Sequence, residues 1–527
     1  MLERDWLVFS IKNRSRYTVF KEMISKTFLQ NKNRDDLCNG NIYIDAFWPD
    51  YLSTVLPKML YAKGVQACGY NYRITALTIC KDNLFRDLAS RFGINTKSAR
   101  NPLYFMYALV QSVYWLIFYR GKGKLYSIEI DGIKVGGYLA DHIIRNKKNI
   151  YNVDQLTVKN IKHILAFSWQ IKSILSLFKK NPPDIYLIQE YDYWYGPVAK
   201  MADLYGATVI NCDSHNRCCF LGGKYGVEMC ATRQFSFQIK QYLENHKGED
   251  YVKLADEYFE KRRKGLTDEA AQDAYANKRL LTRDEWCNEV GADISKKNIV
   301  IMAHCFSDAA SSSTDRAIYK NYYEWLIRTL DIIHEISNVN WLLKAHPSRD
   351  FYNEGDGIYA IFERYCDKNN IFVLSDEISN NALFNIVDGA VTVLGTCGLE
   401  FSMLGIPVVC AGFASYGGYG FTKEPLTENE YVEILSRMDK ISKLDDSQIE
   451  TAKKISYAYF NMHNSIDEDE EAMNAAYANS NCAEANDNLI EYFVNKMEND
   501  YKLEDTWHYK KGKLYDEEKT KYLKYYD

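Results

Sequence analysis

The second half of the chain alternates short apolar runs with stretches of helical length. From about Lys297 onward, these runs are rich in Val, Ile and Leu, and polar loops or amphipathic segments separate them. Strands with no alternation of apolar and polar residues are buried on both faces, and intervening helices allow them to run parallel. The pattern predicts a doubly wound α/β domain, with its first helix ending near Ile336. Its predicted strands are 298–303, 341–345, 371–374, 390–394 and 407–411.

The first half shows a less regular version of this pattern. A helical pattern covers 155–180 and ends before Asn181-Pro182-Pro183, because proline lacks an amide hydrogen and disfavours helix in the preceding residue. We predict a second α/β domain with additional helices. Its candidate strands are 42–47, 125–130, 184–189 and 208–211.

Changes in composition divide the chain into four predicted parts. Residues 1–246 form an N-terminal α/β domain, and 247–297 form a charged helical linker that is poor in strand-forming side chains. Residues 298–480 form the second domain, and 481–527 form a helical tail.

The uncharged run 103–119 has three interpretations. Seventeen residues is the lower limit for a helix that spans a bilayer, and the polar side chains within the run weaken that interpretation. A helix buried in a large domain is the simplest alternative. A helix docked at a membrane surface is the third, because Tyr and Trp favour that interface.

Overall composition is that of an ordinary folded protein. Of 527 residues, 47% are hydrophobic and 26% charged, which excludes disordered and fibrous classes. With 65 Lys and Arg against 70 Asp and Glu, the net charge of -5 gives no basic field, so nucleic acid is not expected as a partner. The 13 cysteines lack the spacing of a secreted disulfide scaffold, and the N-terminus does not resemble a signal peptide.

Polar loops follow three of the predicted strands in the second half, at 303–309, 344–348 and 395–400. Loops after parallel strands share one edge of the sheet, where open α/β sheets bind ligands. The candidate binding residues in these loops are His304, Ser307, Lys344, His346, Pro347, Ser348, Gly395, Thr396, Cys397, Gly398 and Glu400.

These loops suit a phosphate-bearing ligand. Glycines on both sides of Thr396 leave backbone amides at a helix N-terminus, which attracts anions. Glu400, in the first turn of that helix, either accepts hydrogen bonds from a ribose or stabilises the helix dipole. His346, held by Pro347, is either an imidazolium that stabilises a departing phosphate or a structural histidine, and the same alternatives apply to His304.

The run AVTVLGTCGLEFSMLGIPVVCAGFASYGGYGFTKEP at 390–425 resembles the nucleotide-sugar domain of bacterial surface-polysaccharide glycosyltransferases. The turn with its helical Glu, the GIPVV segment and the YGGYGFT segment are similar to those of capsule-type Kdo transferases. WLLKAHPS is similar to the His-Pro motif of those enzymes and of bacterial sialyltransferases. AHCFSDA and DGIKVGGYLADHIIR resemble segments that recur in capsule and O-antigen transferases.

This resemblance implies an α/β fold with two Rossmann-like doubly wound domains facing a cleft, the GT-B arrangement. It implies a CMP-, UDP- or similar nucleotide-sugar donor on the second domain, where Tyr416 and Gly417 join the donor residues. The acceptor, a glycan or lipid-linked glycan, belongs to the first. The expected location is cytoplasmic, with peripheral contact to the inner membrane left open. No cofactor is implied, and no metal, since the second domain has no DxD pair at a strand end.

An inverting transferase needs a base for the acceptor hydroxyl, and two aspartates in the first half are candidates. Asp131 follows a predicted strand beside Gly132, which lets a sugar approach, and is preferred to Asp141. Both are also suited to turns or helix caps. Sialyltransferase-like enzymes have two acids before the glycine and this chain has one; Thr396 also stands where Kdo-type enzymes favour Ser. Donor identity therefore stays open.

The first half also contains residues suited to the acceptor. His215 lies after the predicted strand 208–211 and is the next candidate for the base. Its neighbouring cysteines lack the second ligand pair of a zinc knuckle. Tyr193 and Trp194 either stack on sugar rings or pack in the core. Two rival functions remain open at this stage, a nucleotide-sugar epimerase and a non-catalytic binding component of capsule assembly.

Overall fold

The computed structural model describes residues 9–28, 38–79, 82–212, 219–221, 226–267, 269–312, 317–349, 352, 354–462 and 467–526.

Within these described ranges, the strands form two six-stranded sheets and one small hairpin. They are β1 Gly40–Asp45, β2 Tyr72–Thr78, β3 Asn95–Ser98, β4 Glu129–Ile130, β5 Ile133–Lys134, β6 Ile185–Ile188, β7 Thr208–Asn211, β8 Cys219–Phe220, β9 Asn298–Met302, β10 Asn340–Lys344, β11 Ile371–Val373, β12 Gly389–Thr392, β13 Val408–Cys410 and β14 Thr422–Lys423.

Helices connect and cover these sheets. They are α1 Arg14–Phe28, α2 Leu52–Ala67, α3 Asn83–Arg91, α4 Phe105–Phe118, α5 Gly136–Arg145, α6 Ile161–Lys180, α7 Tyr195–Leu204, α8 Gly226–Asn245, α9 Tyr251–Arg263, α10 Glu269–Tyr275, α11 Arg283–Val290, α12 Tyr322–His334, α13 Gly357–Glu363, α14 Asn380–Ile386, α15 Cys397–Met403, α16 Glu428–Ser436, α17 Asp446–Asn461, α18 Glu468–Ala478, α19 Cys482–Glu498, α20 Trp507–Lys513 and α21 Tyr515–Tyr526.

Both large sheets have the doubly wound strand order. The first runs β3-β2-β1-β6-β7-β8 and the second β11-β10-β9-β12-β13-β14, with every pairing parallel except that of β7 with β8. Each therefore starts in the middle, winds outward to one edge and then to the other, as in a Rossmann fold. The predicted fold class of two doubly wound α/β domains is confirmed.

The central strand β9 shows why the apolar runs lack alternation. Ile299 and Ile301 pack into one core with Trp325 of α12, whereas Val300 packs into the opposite core with Trp286 of α11. A strand covered on both faces needs apolar side chains at every position, because both sets lose contact with water.

The strands β2 and β3 were not predicted from the sequence. β2 has the mixed sequence YRITALT, and the edge strand β3 is NTKS, with largely exposed side chains. The predicted strand 125–130 is wrong for most of its length, because 124–127 form a 3-10 turn and only β4 follows. The turn starts after Gly123, which has a φ of +75° that suits glycine.

The chain forms two compact units that differ from the predicted division. The first contains residues 1–139, 154–234 and 463–527, and the second contains 140–153 and 235–462. The segment 247–297 is helical, as its composition indicates, but it belongs to the second unit, where Trp286 enters the core.

The C-terminal helix α20 packs closely on α2 within the first unit. A Cβ atom added to Gly64 would lie 2.1 Å from the carbonyl oxygen of Tyr509, and one added to Gly512 would lie 2.1 Å from that of Tyr61. The two glycines thus allow the helix backbones to touch. Residues after 480 complete the first unit and do not form a separate tail.

The helix α4 within the uncharged run 103–119 packs through one narrow face. Ala108, Ser112 and Trp115 are buried against α6, and Ser168 of α6 donates a hydrogen bond to Gln111 at 3.1 Å. Most other side chains of the helix are exposed, so the interpretation as a fully buried helix is wrong. Among the described residues, no helix combines the length and apolar character required to cross a membrane.

Candidate functional site

The second sheet has its switch point between β9 and β12. After β9 the chain moves to β10 and β11 on one side, whereas β12 leads to β13 and β14 on the other. In open α/β sheets the chain leaves the two strands of a switch point in opposite directions, and ligands bind in the crevice beyond these strand ends. The loop after β10 shares this edge, so the strand order brings 303–312, 345–349 and 393–398 to one place.

His304 connects the loops on the two sides of this crevice. The hydroxyl of Thr392 and the amide of Val393 donate to its Nε2 at 3.0 and 3.2 Å, and its ring stacks on Tyr322 with 4.4 Å between ring centroids. Because Nε2 accepts, the ring carries its proton on Nδ1 and is neutral. Burial, assisted by nearby His346, lowers the pKa of His304 to about 3.

His346 is neutral in the opposite tautomer. The amide of Ser348 donates to its Nδ1 at 3.2 Å, which leaves the proton on Nε2. Burial lowers the pKa of this ring to about 4, so at neutral pH it is not the imidazolium considered from the sequence. Within the described part of the chain, Nε2 has no hydrogen-bond acceptor. His346 thus presents a neutral N–H donor at the crevice.

Pro347 and Ser348 position His346, whereas Lys344 supports the neighbouring loop. Pro347 begins the 3-10 turn Pro347–Arg349, which brings the Ser348 amide back to the ring. The buried ammonium of Lys344 donates to the carbonyl oxygens of Ser375 and Ile378, each at 3.0 Å. Burial lowers the pKa of Lys344 to about 8. These contacts make Lys344 a support for the loop after β11.

The turn 395–398 is closed by Tyr416. The phenol, fully buried, donates to the carbonyl oxygen of Gly395, and a Cβ on Gly398 would lie 2.1 Å from that phenol oxygen. Gly398 is therefore needed to admit Tyr416, and any larger residue there would disturb the fold as well as a ligand. Gly417 continues the turn with its amide bonded to Ala414 at 2.8 Å.

Both carboxylate oxygens of Glu400 have protein partners. Arg262 donates from Nε at 2.6 Å and the Tyr275 hydroxyl donates at 2.6 Å, and all three side chains are buried. The guanidinium also lies over the ring of Phe460, 4.7 Å from its centroid. In the structure, Glu400 thus joins the helices α9 and α10 to α15. These partners take the place of the ribose considered from the sequence.

Ser307 and Glu354 form a second buried pair near the crevice. The amide and hydroxyl of Ser307 donate to Oε1 of Glu354 at 2.7 and 2.9 Å. Burial is the main cause that raises the pKa of Glu354 to about 7. Ser307 therefore anchors the loop after β9.

The pairing of Glu354 predicts a measurable dependence of stability on pH. The folded chain keeps a proton that the unfolded chain releases near pH 4.5, so this group's contribution falls as pH rises from about 4.5 to 7. Glu354→Gln keeps Oε1 as an acceptor and removes the charge. Between pH 5 and pH 8, its unfolding temperature should gain about 4 °C relative to wild type. The exposed Glu363→Gln is the control, and an equal difference at both pH values for Glu354→Gln would refute the assignment.

Asp141 lies on α5, in the part of that helix that belongs to the second unit. Its buried carboxylate accepts hydrogen bonds from the amides of Ser311 and Ser312 at 2.9 and 2.7 Å, and from the Ser312 hydroxyl at 2.7 Å. Burial raises the pKa of Asp141 to about 6 against the effect of these donors. Asp141 thus holds the loop that leaves β9.

Asp131 lies in the first unit, at the turn of the β4–β5 hairpin. Asp131 and Gly132 have φ values of +50° and +82°, which is typical of a tight two-residue hairpin turn. The carboxylate is exposed and 2.7 Å from the ammonium of Lys179. Asp131 therefore has the contacts of a turn residue, which is the alternative to a base that its sequence position also allowed.

The candidate acceptor residues lie in the first unit. Tyr193, with a φ of +48°, and Trp194 follow β6. Trp194 is buried between Phe167, at 5.5 Å between ring centroids, and the guanidinium of Arg100, 5.2 Å from its ring centroid. Trp194 therefore packs in the core. His215 lies outside the described residues.

Two polar contacts at the switch points were not found by sequence reasoning. Thr392, the last residue of β12, donates to His304 in the second sheet. At the switch point of the first sheet, buried Asp45 pairs with buried Lys58 and accepts the amide of Gln189 at 2.8 Å. Polar residues at the ends of apolar strands were the available signal, in IYID and in AVT.

Part of the chain matches a known protein family. Residues 288–460 match the model of a family described as capsule polysaccharide biosynthesis protein. This match contains all three crevice loops and confirms the resemblance seen in the sequence. A search of curated proteins gave no match.

Three solved structures are similar at low identity. Two are the beta Kdo 2,4 and beta Kdo 2,7 transferases of Thermosulfurimonas dismutans KpsC. The first is 13% identical, covering 51% of this chain and 79% of its own, with a TM-score of 0.29. The second is 15% identical, covering 55% and 80%, with a TM-score of 0.30. The third, the lipopolysaccharide outer core galactosyltransferase WaaB, is 10% identical, covering 80% and 97%, with a TM-score of 0.26.

Proposed function

We propose that this protein is a glycosyltransferase that moves a sugar from a nucleotide-activated donor to a growing bacterial surface glycan. The observation that carries the proposal is the match to the capsule-biosynthesis family over the residues that form the switch-point crevice. The donor would be a CMP-, UDP- or similar nucleotide sugar, and the acceptor a glycan or lipid-linked glycan, on the cytoplasmic side of the membrane.

His346 supplies the chemistry expected at the donor. The ring is neutral, and its Nε2–H has no acceptor among the described residues. It can therefore donate to an oxygen of the departing phosphate without first breaking a hydrogen bond to the protein. A hydrogen-bond donor that is already in position stabilises the negative charge that develops on the phosphate as its bond to the sugar breaks. We propose that this histidine and the amides of 395–397 hold the phosphates, with no metal and no further cofactor. The amide of Gly398 instead donates to the Gly395 carbonyl at 2.9 Å and closes the turn.

For an inverting reaction, we assign the base to Asp141 in preference to Asp131. Asp141 contacts the loop that leaves β9 at the crevice edge, and its raised pKa, about 6, suits proton transfer near neutrality. Asp131 is exposed in a hairpin turn and paired with Lys179. The structure therefore favours the order opposite to the one inferred from the sequence.

The two aspartates make a matched pair for mutation. Asp141→Asn should lower sugar transfer tenfold or more, because the amide cannot take a proton. Its NH2 group also replaces one of the two oxygens that accept from the amides of Ser311 and Ser312, so nucleotide affinity and unfolding temperature are measured beside transfer. Asp131→Asn should transfer at a near-native rate. The reverse result would return the role of base to Asp131, and two active variants would place the base elsewhere.

Turnover separates this function from its rivals. Nucleotides and nucleotide sugars that bind the native protein should raise its unfolding temperature, which selects candidate donors. Donor consumption with and without a bacterial glycan acceptor is then measured. Transfer that depends on the acceptor supports the proposal, turnover without one supports an epimerase, and binding without turnover supports a non-catalytic component.

A further inference from the structure

The helix α4 has a continuous apolar face that is exposed. Met106, Val110, Val113 and Ile117 follow one another at intervals of three or four residues and so share one side of the helix. Met106, Val110 and Ile117 are 65%, 66% and 58% exposed. Leu103, just before the helix, extends the same stripe and is 84% exposed. Fourteen residues give a stripe about 21 Å long. Contiguous apolar patches of this kind mark interaction surfaces.

Amphipathic aromatic rings flank this stripe. Tyr107 and Tyr114 are 46% and 47% exposed, and Phe118 lies against Tyr114 with 4.6 Å between ring centroids. The ammonium of Lys172 on α6 lies 4.1 Å from the centroid of the Tyr107 ring. Helices at a membrane–water interface typically have tyrosines at the border of the apolar face and lysines near the polar side.

The chain segments on either side of α4, and the helix α6 that packs on it, have an excess of positive charge although the whole chain is negative, at -5. No charged residue lies between Arg100 and Arg120. Acidic residues in the adjoining first-unit segments 95–139 and 154–180 are only Glu129, Asp131 and Asp154. Exposed cations in the same segments are Lys97, Arg120, Lys122, Lys124, Lys134, Lys159, Lys162, Lys179 and Lys180.

We propose that the exposed face of α4 binds the surface of an anionic lipid bilayer, with the helix lying in the plane of the interface. The stripe of Met106, Val110 and Ile117 enters the boundary between headgroups and acyl chains, and the surrounding cations face the lipid phosphates. A second copy of the chain fits this face poorly, because a two-fold contact would bring like charges together. This binding goes beyond the proposed transfer reaction and requires no turnover.

Flotation of the full chain with vesicles tests the proposal. Phosphatidylcholine vesicles that contain phosphatidylglycerol should bind the protein at least tenfold more tightly than phosphatidylcholine alone, and added salt should weaken this binding. The triple variant Met106→Gln, Val110→Gln and Ile117→Gln should lose at least tenfold in affinity. Since these side chains are exposed and Gln favours helix, its unfolding temperature should stay native.

Matched controls replace exposed residues elsewhere. Leu280→Gln with Leu426→Gln removes apolar side chains that are 68% and 80% exposed and should leave binding unchanged. Lys122→Glu with Lys124→Glu should weaken binding, whereas Lys253→Glu should not. Native binding by the triple variant, or no binding by wild type, would overturn the proposal. So would a wild-type dimer in sedimentation velocity that the triple variant converts to monomer.

Discussion

Sugar transfer by the variant His346→Ala is expected to fall by about 10²–10³-fold, the usual effect of removing one preorganised donor to a developing charge. The ring is neutral because burial lowers its pKa to about 4, and the Ser348 amide keeps its proton on Nε2. At neutral pH the ring is therefore neutral and carries its N–H on Nε2. Alanine removes that donor, and steady-state transfer with a saturating donor measures the loss.

Two further variants distinguish catalysis from support of the fold. His346→Gln places an amide N–H near the former Nε2 and should recover part of the rate. His334→Ala removes a half-buried histidine outside the crevice loops, 2.7 Å from Asp367, and should transfer normally. If His346→Ala unfolds more easily but keeps its turnover per folded molecule, then His346 is structural and the proposed donor role is wrong.

The variant Arg262→Met is expected to destabilise the second unit by about 3–5 kcal/mol. Among the residues that the structure describes, it leaves the buried carboxylate of Glu400 with the Tyr275 hydroxyl as its remaining side-chain partner. It also removes the packing of the guanidinium on Phe460. Chemical unfolding, followed by the fluorescence of the buried Trp286 and Trp325, measures the effect.

An exposed ion pair provides the control for Arg262. Arg279 and Glu289 lie 2.8 Å apart and are about half exposed, so Arg279→Met should cost less than about 1 kcal/mol. The double variant Arg262→Met with Glu400→Gln removes both charges and should be more stable than Arg262→Met alone. Equal losses for Arg262→Met and Arg279→Met would show that the buried pair contributes little.

The second domain was predictable from sequence because both faces of its sheet are covered. Every side chain of β9 is buried, and after Asn298 the run continues with four apolar residues, IVIM. In the first domain, β3 is an edge strand with exposed polar residues, and no apolar run marks it. The sequence LYSIEI predicts one strand before Asp131, because its apolar residues suit a strand as well as the observed 3-10 turn and short hairpin.

The location of the candidate site was also predictable, whereas the roles of its residues were not. Strand polarity alone places the loops with His304, His346 and Gly398 at one edge. The partners of Glu400 could not be inferred, because Arg262 and Tyr275 are more than 120 residues away in the chain. Likewise, no local pattern reveals that Asp141 contacts the loop after β9.

The path of the chain between the two units limits how the protein can be dissected and in what order it can fold. The second unit includes 140–153, which lie in the sequence between two segments of the first unit. A fragment that begins at 298 therefore lacks Asp141 and Tyr151, and the Tyr151 hydroxyl donates to the Glu354 carbonyl at 2.7 Å. During synthesis, this unit has all its residues once Met462 leaves the ribosome. The first unit begins earlier but must keep the face of α2 around Gly64 uncovered until α20 emerges. During synthesis, the first unit is therefore the one that needs protection from aggregation for the longest time, although its residues are made first.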